Sequence, residues 1–250
     1  MSVELSMRGQ VALVTGGGGG IGSAICQKLA QAGGRVIIIG VHLDVAQTAV
    51  AVLPGEGHLA RSVLVDDSAA LKKFAVQIAD QYGKLDLLVN CAGVTRQVAH
   101  DDLDGLDDEL IDRIFRVNWR GAFATIRAFK ELLAKDAGGT IVNISSIAGT
   151  TGVGSNVAYC ASKAAMDSMT RSLARALAPK IRVLSVAPGW VEGEYAKKMN
   201  PEMLTLQRKL TPLNRIAHSE DVANAVLAAA TLLSFSTGDI IHVDGGRRLS

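Results

Sequence analysis

The sequence predicts a doubly wound α/β fold with a parallel sheet, and three observations predict it. Short runs of Val, Ile and Leu alternate with helix-length segments along the chain. Runs that are apolar throughout, without polar alternation, belong to a parallel sheet covered on both faces. A glycine stretch, Thr15-Gly16-Gly17-Gly18-Gly19-Gly20-Ile21-Gly22, follows the first run and leads into a helix. The chemically distinctive residues fall in loops 16–22, 40–44, 66–68, 90–94, 145–155 and 188–199, each after an apolar run. In such folds ligands bind at that edge, outside the carboxyl ends of the strands.

In order, strands are predicted at 11–14, 35–39, 59–65, 85–89, 140–144, 181–186 and 239–243. Helices are predicted at 23–31, 44–53, 69–82 with Ser68 as cap, 107–117, 119–135, 156–178 and about 219–233. Gly33-Gly34, Pro54-Gly55, Pro179 and Pro188-Gly189 punctuate them. No linker, low-complexity tract or internal repeat interrupts the pattern, so residues 1–250 read as one domain.

Of the 250 residues 48 % are hydrophobic, enough for a sizeable core, and the net charge of +2 is too small to point to nucleic acid or an anionic membrane. Cys26, Cys91 and Cys160 are an odd, scattered set without a CxxC, which suits a reducing compartment and neither disulfides nor zinc. His42, His58, His100, His218 and His242 lack metal-ligand spacing, so no metal is expected. The polar residues 1–10 are no signal peptide, and no apolar run nears the roughly 20 residues that span a bilayer. The expectation is a cytoplasmic protein.

Two patterns carry chemistry. Strand, glycine loop, helix is the context in which glycines let a backbone approach a pyrophosphate at a helix N-terminus, although five successive glycines also suit a flexible turn. Tyr159 and Lys163, four residues apart, share one helix face. An ammonium beside a phenol favours phenolate and makes a proton donor and acceptor usable near neutral pH. The plainer alternative is a half-buried tyrosine beside a solvated lysine. Ser146 is placed to hold a substrate oxygen against the phenol, and Asn118 reads as a proton relay or as a cap between two helices.

Together these residues resemble the short-chain dehydrogenases/reductases, in their compact form of about this length, with the feel of 3-oxoacyl-acyl-carrier-protein reductases. Thr15-Gly16-x-x-x-Gly20-x-Gly22 is similar to the family's glycine motif, Asn90-Cys91-Ala92-Gly93 to its Asn-Asn-Ala-Gly, and Val243-Asp244-Gly245-Gly246 to its C-terminal signature. Asn118, Ser146 and Tyr159-x-x-x-Lys163 stand at the family's catalytic positions, and Pro188-Gly189 follows strand six. The resemblance implies a Rossmann fold with one seven-stranded sheet in the order 3-2-1-4-5-6-7. It implies an NAD(P)-dependent oxidoreductase moving hydride between nicotinamide and a secondary alcohol or ketone. Tyr159 would be the general acid/base, Lys163 its tuner and a ribose ligand, Ser146 the polariser and Asn118 the relay. Cofactor contacts are expected from Gly16, Gly20, Ile21, Gly22, Gly40, Val41, Asp66, Asp67, Asn90, Ala92, Gly93, Tyr159, Lys163, Pro188, Gly189 and Val191. Substrate contacts are expected from Ser146, Tyr159, Val94 and Trp190, under a lid at about 190–213 that includes Tyr195, Lys198 and Met199. The family also implies a homotetramer, or a dimer, built on the helices of Trp119 and Asn156 and the last strand.

The chain departs from that pattern in places. Gly18 and Gly19 replace residues that are often Ser and Arg, and Gly40 and Val41 replace the usual Asp or Arg markers for NAD or NADP. With no carboxylate to repel a 2′-phosphate, the reading leaves NAD or NADP open and leans to NADP, with His42 or Arg35 as its ligand. Cys91 replaces an Asn, and Gly193 or Glu194 falls where relatives hold the carboxamide with a Thr. A non-catalytic cofactor-binding or redox-sensing relative, and an epimerase or dehydratase on the same scaffold, are the alternatives.

Overall fold

Along each strand, alternate residues enter opposite cores, which is why the runs are apolar throughout. Val11, Leu13, Ile37 and Ile39 face one side with Leu71, Phe74, Ile78 and Phe129. Ala12, Val14, Val36 and Ile38 face the other with Ile25, Leu29, Val222 and Val226. Each of the Val, Leu, Ile and Phe side chains among them, taken from water, contributes about 1.5–3 kcal/mol.

The computed structural model describes residues 5–193 and 200–250. The strands are β1 (Val11–Thr15), β2 (Arg35–Gly40), β3 (Leu59–Ser62), β4 (Leu87–Asn90), β5 (Gly139–Ile144), β6 (Ile181–Pro188) and β7 (Ile240–Val243), in the order β3-β2-β1-β4-β5-β6-β7, as expected. All pairings are parallel. The helices are α1 (Gly20–Gln31), α2 (Leu43–Ala51), α3 (Ser68–Tyr82), α4 (Asp108–Phe115), α5 (Ala122–Leu133), α6 (Ala148–Thr151), α7 (Val157–Leu177), α8 (Pro201–Lys209) and α9 (Ser219–Thr231).

Several boundaries differ from expectation for local reasons. β3 stops at Ser62 because its one neighbour ends there, with Gly40 paired to Ser62. β4 starts at Leu87, not Leu85: Leu85 N–H goes to Leu132 O, at the end of α5, and Asp86 joins the strand's edge, its N–H donating to Val11 O at 2.9 Å while its carboxylate accepts from Val11 N–H at 2.8 Å. β6 runs on to Pro188, which pairs with Val243. α3 is capped by Asp67, not Ser68: its carboxylate accepts from Ala69 and Ala70 N–H at 3.0 Å each. The break expected near Asn118 is absent; a π turn, Arg116–Gly121, joins α4 to α5. α6 and α8 were not foreseen, although Asn200-Pro201 is a start signal, and Asn200 accepts from Glu202 N–H.

A polar thread crosses the sheet centre. Asn90, Asn143 and Ser185 stand abreast on β4, β5 and β6. Asn90 Nδ2 donates to Asn143 Oδ1 at 2.9 Å, Asn143 Nδ2 to Thr170 Oγ1 at 2.9 Å, and Ser185 Oγ to Asp167 Oδ1 at 3.2 Å.

Candidate active site

A cavity of about 800 Å³ opens at the carboxyl edge of the sheet. Its one end is the glycine loop. Gly16 has φ +67°, and a Cβ there would lie 3.0 Å from Ala92 Cα. A Cβ on Gly22 would overlap Gly16 O and sit 2.9 Å from Gly17 Cα. The loop therefore closes flush onto the start of α1, and Gly18 through Gly22 line the cavity beside that helix N-terminus. Backbone N–H groups and the helix dipole there suit a pyrophosphate, so the residues fit a dinucleotide.

Across the cavity stands the start of α7. Asn156 caps it by accepting from Tyr159 N–H at 2.7 Å, and its amide donates to Arg96 O at 2.7 Å. The cap fixes Tyr159 in the first turn, facing the cavity. Lys163, one turn on, is 6 % exposed; its Nζ donates to Ile144 O at 2.8 Å and lies 5.6 Å from the centre of the Tyr159 ring. The plainer alternative of a solvated lysine is thus excluded. Burial pushes the Lys163 ammonium down to about 8, against the upward pull of Cys91 and Asp167. Ser146, at the end of β5, lines the cavity, and its Oγ accepts from Ala148 N–H at 3.2 Å, which leaves its hydrogen for another oxygen.

Of the other expected residues, Gly40, Val41, Ala92, Gly93, Val94, Pro188, Gly189, Trp190 and Val191 line the same cavity. Asn90, Asp66, Asp67 and Asn118 do not. Asn90 is in the polar thread, and the Asp66 carboxylate faces Arg116 Nε at 3.4 Å. Asn118 is fully buried in the π turn; its Oδ1 accepts from Val94 N–H at 2.8 Å and its Nδ2 donates to Val94 O and Ser162 Oγ. It clamps the Val94 loop to α7 and caps no helix. Arg35 sits at the opposite end of β2 from Gly40, stacked over Tyr82 at 5.8 Å, so it is no ligand for a 2′-phosphate at this edge; His42 does line the cavity. Tyr195, Lys198, Met199 and Glu194 lie outside the described residues.

Cys91 lines the cavity with its N–H on Thr15 Oγ1 at 3.0 Å, and burial lifts its thiol to about 11 although Lys163 pulls it down. It is a neutral thiol at physiological pH. Glu192, also lining, faces His218 Nδ1 at 3.1 Å and Arg208 Nη2 at 3.8 Å. Reading the sequence missed Ser219, Arg247 and Ser250 as lining residues; only the topology, which brings the start of α9 and the segment after β7 to the site, reveals them.

The fold and site define a dinucleotide-binding α/β protein with a Tyr-Lys-Ser cluster at its ligand edge. Known proteins agree. The family model described as Enoyl-(Acyl carrier protein) reductase matches residues 16–248. The chain is 36 % identical over 250 residues to 3-oxoacyl-acyl-carrier-protein reductase FabG of Aquifex aeolicus, covering 98 % of this chain and 99 % of that protein. It is 32 % identical to an NAD-dependent glycerol dehydrogenase of Listeria innocua, covering 97 % and 95 %. The solved short-chain dehydrogenase/reductase of Brucella melitensis, titled glucose/ribitol dehydrogenase, superposes with a TM-score of 0.90 at 27 % identity, covering 99 % of each chain. The chain belongs to the short-chain dehydrogenase/reductase family and is an oxidoreductase of that family.

Proposed function

We propose that this protein is an NAD(P)-dependent reductase or dehydrogenase acting on a secondary alcohol or its ketone. The observation that carries the reading is that Tyr159, with the Lys163 ammonium one turn away, faces the same cavity as the glycine loop. Bound at that loop, a nicotinamide dinucleotide supplies or accepts the hydride. The chain's part is proton handling and placement. Tyr159 Oη gives a proton to the carbonyl oxygen in reduction and takes it from the hydroxyl in oxidation. The Lys163 charge favours the phenolate form of Tyr159. Ser146 Oγ donates to the substrate oxygen and holds it against the phenol. Asn118, by fixing the Val94 loop to α7, keeps that wall of the site in place, and as the proton relay it would act beside Lys163, both side chains bordering Gly93.

NADP is the preferred partner in this reading, since Gly40 and Val41 offer no carboxylate where a 2′-phosphate would lie and His42 is at hand. 3-Oxoacyl thioesters head the candidate substrates because a relative's name specifies them; a polyol is the competing class, from another relative's name. A cytoplasmic homotetramer or dimer is part of the proposal. It is supported by the free cysteines Cys26, Cys91 and Cys160 and by the fully exposed Phe235 just before β7.

The test is a screen of ketones and alcohols with both cofactors, read at the reduced-nicotinamide absorbance, for the natural chain and for Tyr159→Phe. The variant is expected to lose about 10³-fold in kcat, with dinucleotide binding, read by fluorescence, changed less than about twofold. Turnover by Tyr159→Phe within tenfold of the natural chain would refute the assignment of Tyr159.

A further inference from the structure

Arg247 follows Gly245-Gly246 and turns back over the cavity beside the 201–213 segment. The path is fixed by close packing. A Cβ on Gly189 would lie 3.0 Å from Asp244 Cα, and one on Gly246 would lie 2.9 Å from Pro212 Cγ. Leu213 N–H donates to Gly245 O at 3.1 Å. Arg247 is thus held at the cavity that Pro188, Gly189 and Trp190 also line.

Its guanidinium is oriented but not neutralised. Nε donates to Oε1 of Gln207, a side chain of α8 that is 7 % exposed. The Gln207 amide nitrogen points the other way, to Met203 Sδ at 3.7 Å, so its oxygen is committed to Arg247. Several other cations of this region have carboxylates. Arg248 faces Asp244 at 3.2 Å, Arg215 faces Asp221 at 2.6 Å, and Arg208 and His218 share Glu192. Among the described residues no carboxylate pairs with Arg247, and none of them is a hydrogen-bond partner of its two terminal nitrogens. A half-buried guanidinium held by its Nε and left with a free planar fork matches a carboxylate or a phosphate in geometry and charge. Much of the remaining cavity wall is neutral, with Ile147, Ala148 and Val153 among its side chains.

We infer that Arg247 forms an anion-recognising subsite, and that the substrate is a carbonyl compound or alcohol bearing a carboxylate or phosphate beyond an apolar stretch. The inference rests on the reduction or dehydrogenation proposed above for the same cavity.

Two matched pairs of probes test it. Levulinate and methyl levulinate differ by a carboxylate. Acetoacetyl-coenzyme A and acetoacetyl-N-acetylcysteamine differ chiefly by the nucleotide phosphates. Binding to the protein saturated with oxidised cofactor is measured by calorimetry, and turnover with reduced cofactor separately. The natural chain is expected to bind the anionic member of at least one pair about tenfold or more tightly than its neutral partner, and that preference should shrink as ionic strength rises. In Arg247→Gln the ratio should fall towards one, and Arg247→Lys should recover part of it. Preference confined to the first pair identifies a carboxylate, and preference confined to the second a phosphate. Equal binding of both members of both pairs by the natural chain overturns the subsite, as does a ratio unchanged in Arg247→Gln. Should Arg247→Gln fail to fold, Arg247→Lys and the salt dependence decide. Anion-selective binding without hydride transfer would overturn the proposed reaction and leave the subsite standing.

Discussion

Burial holds the Lys163 ammonium at about 8, below its ordinary 10.5, so the unfolded chain binds that proton more tightly than the folded one. The cost is fully present below pH 8 and is relieved as pH climbs from about 8 towards 10.5. At 1.36 kcal/mol per unit it is of the order of 3 kcal/mol. The Ile144 O contact returns about 1 kcal/mol of it. Lys163→Met should therefore be more stable than the natural chain by about 2 kcal/mol at pH 7, with the gap narrowing as pH rises. Urea unfolding at pH 7 and pH 10 checks this, and a less stable variant at pH 7 would contradict it. Spacing alone brought Tyr159 and Lys163 to one face in the sequence. That the lysine is buried was not legible, because it depends on β5 ending against α7 and on the Cys91 loop closing over it.

At the scale of the element, the glycine loop shows what local sequence can and cannot say. Strand, glycines and helix were readable as a phosphate-binding turn, but not which glycine is indispensable. Gly22 sits against the Gly16 carbonyl, whereas the nearest atom to a Cβ on Gly20 is Ser219 Oγ at 4.0 Å. Gly22→Ala should cost about 1–3 kcal/mol of stability by overpacking and weaken dinucleotide binding at least tenfold. Gly20→Ala should leave the melting temperature within a degree or two, about the size of a surface change. Thermal melts and cofactor titrations of the two variants compare them directly. Element ends were the least legible: β3 and β4 are cut short by what lies beside them, and Asp67 rather than Ser68 caps α3 because the chain turns one residue earlier. The π turn at Asn118 has no sequence signature here, since its extra residue is accommodated only by the Val94 loop packing against it.

Across the whole molecule, seven apolar runs separated by helices fixed the class of fold, and the resemblance supplied the strand order; the contacts that lock distant segments were invisible. Arg182 on β6 is one. Its guanidinium donates to Leu233 O at 2.8 Å, Ala229 O at 3.0 Å and Thr140 Oγ1 at 2.7 Å, tying two strands to the C-terminal end of α9, where a cation also meets the helix dipole favourably. Arg182→Met keeps the apolar stem and strips the donors, leaving those carbonyls unanswered. A loss of about 3 kcal/mol is expected in denaturant unfolding. A loss below about 1 kcal/mol would show that water replaces the guanidinium without penalty.

The row of Asn90, Asn143 and Ser185 has a consequence for assembly. Parallel strands made only of Val, Ile and Leu are nearly interchangeable, and a one-residue slip among them would still bury grease against grease. A slip here would strand two amides and a hydroxyl in a dry interior, at roughly 1–3 kcal/mol apiece. The row works as a key cut into the middle of the sheet. It lets β4, β5 and β6 seat in only one alignment, and so sets the residues just beyond their ends, Cys91, Ser145 and Gly189, at fixed heights around the mouth of the cavity.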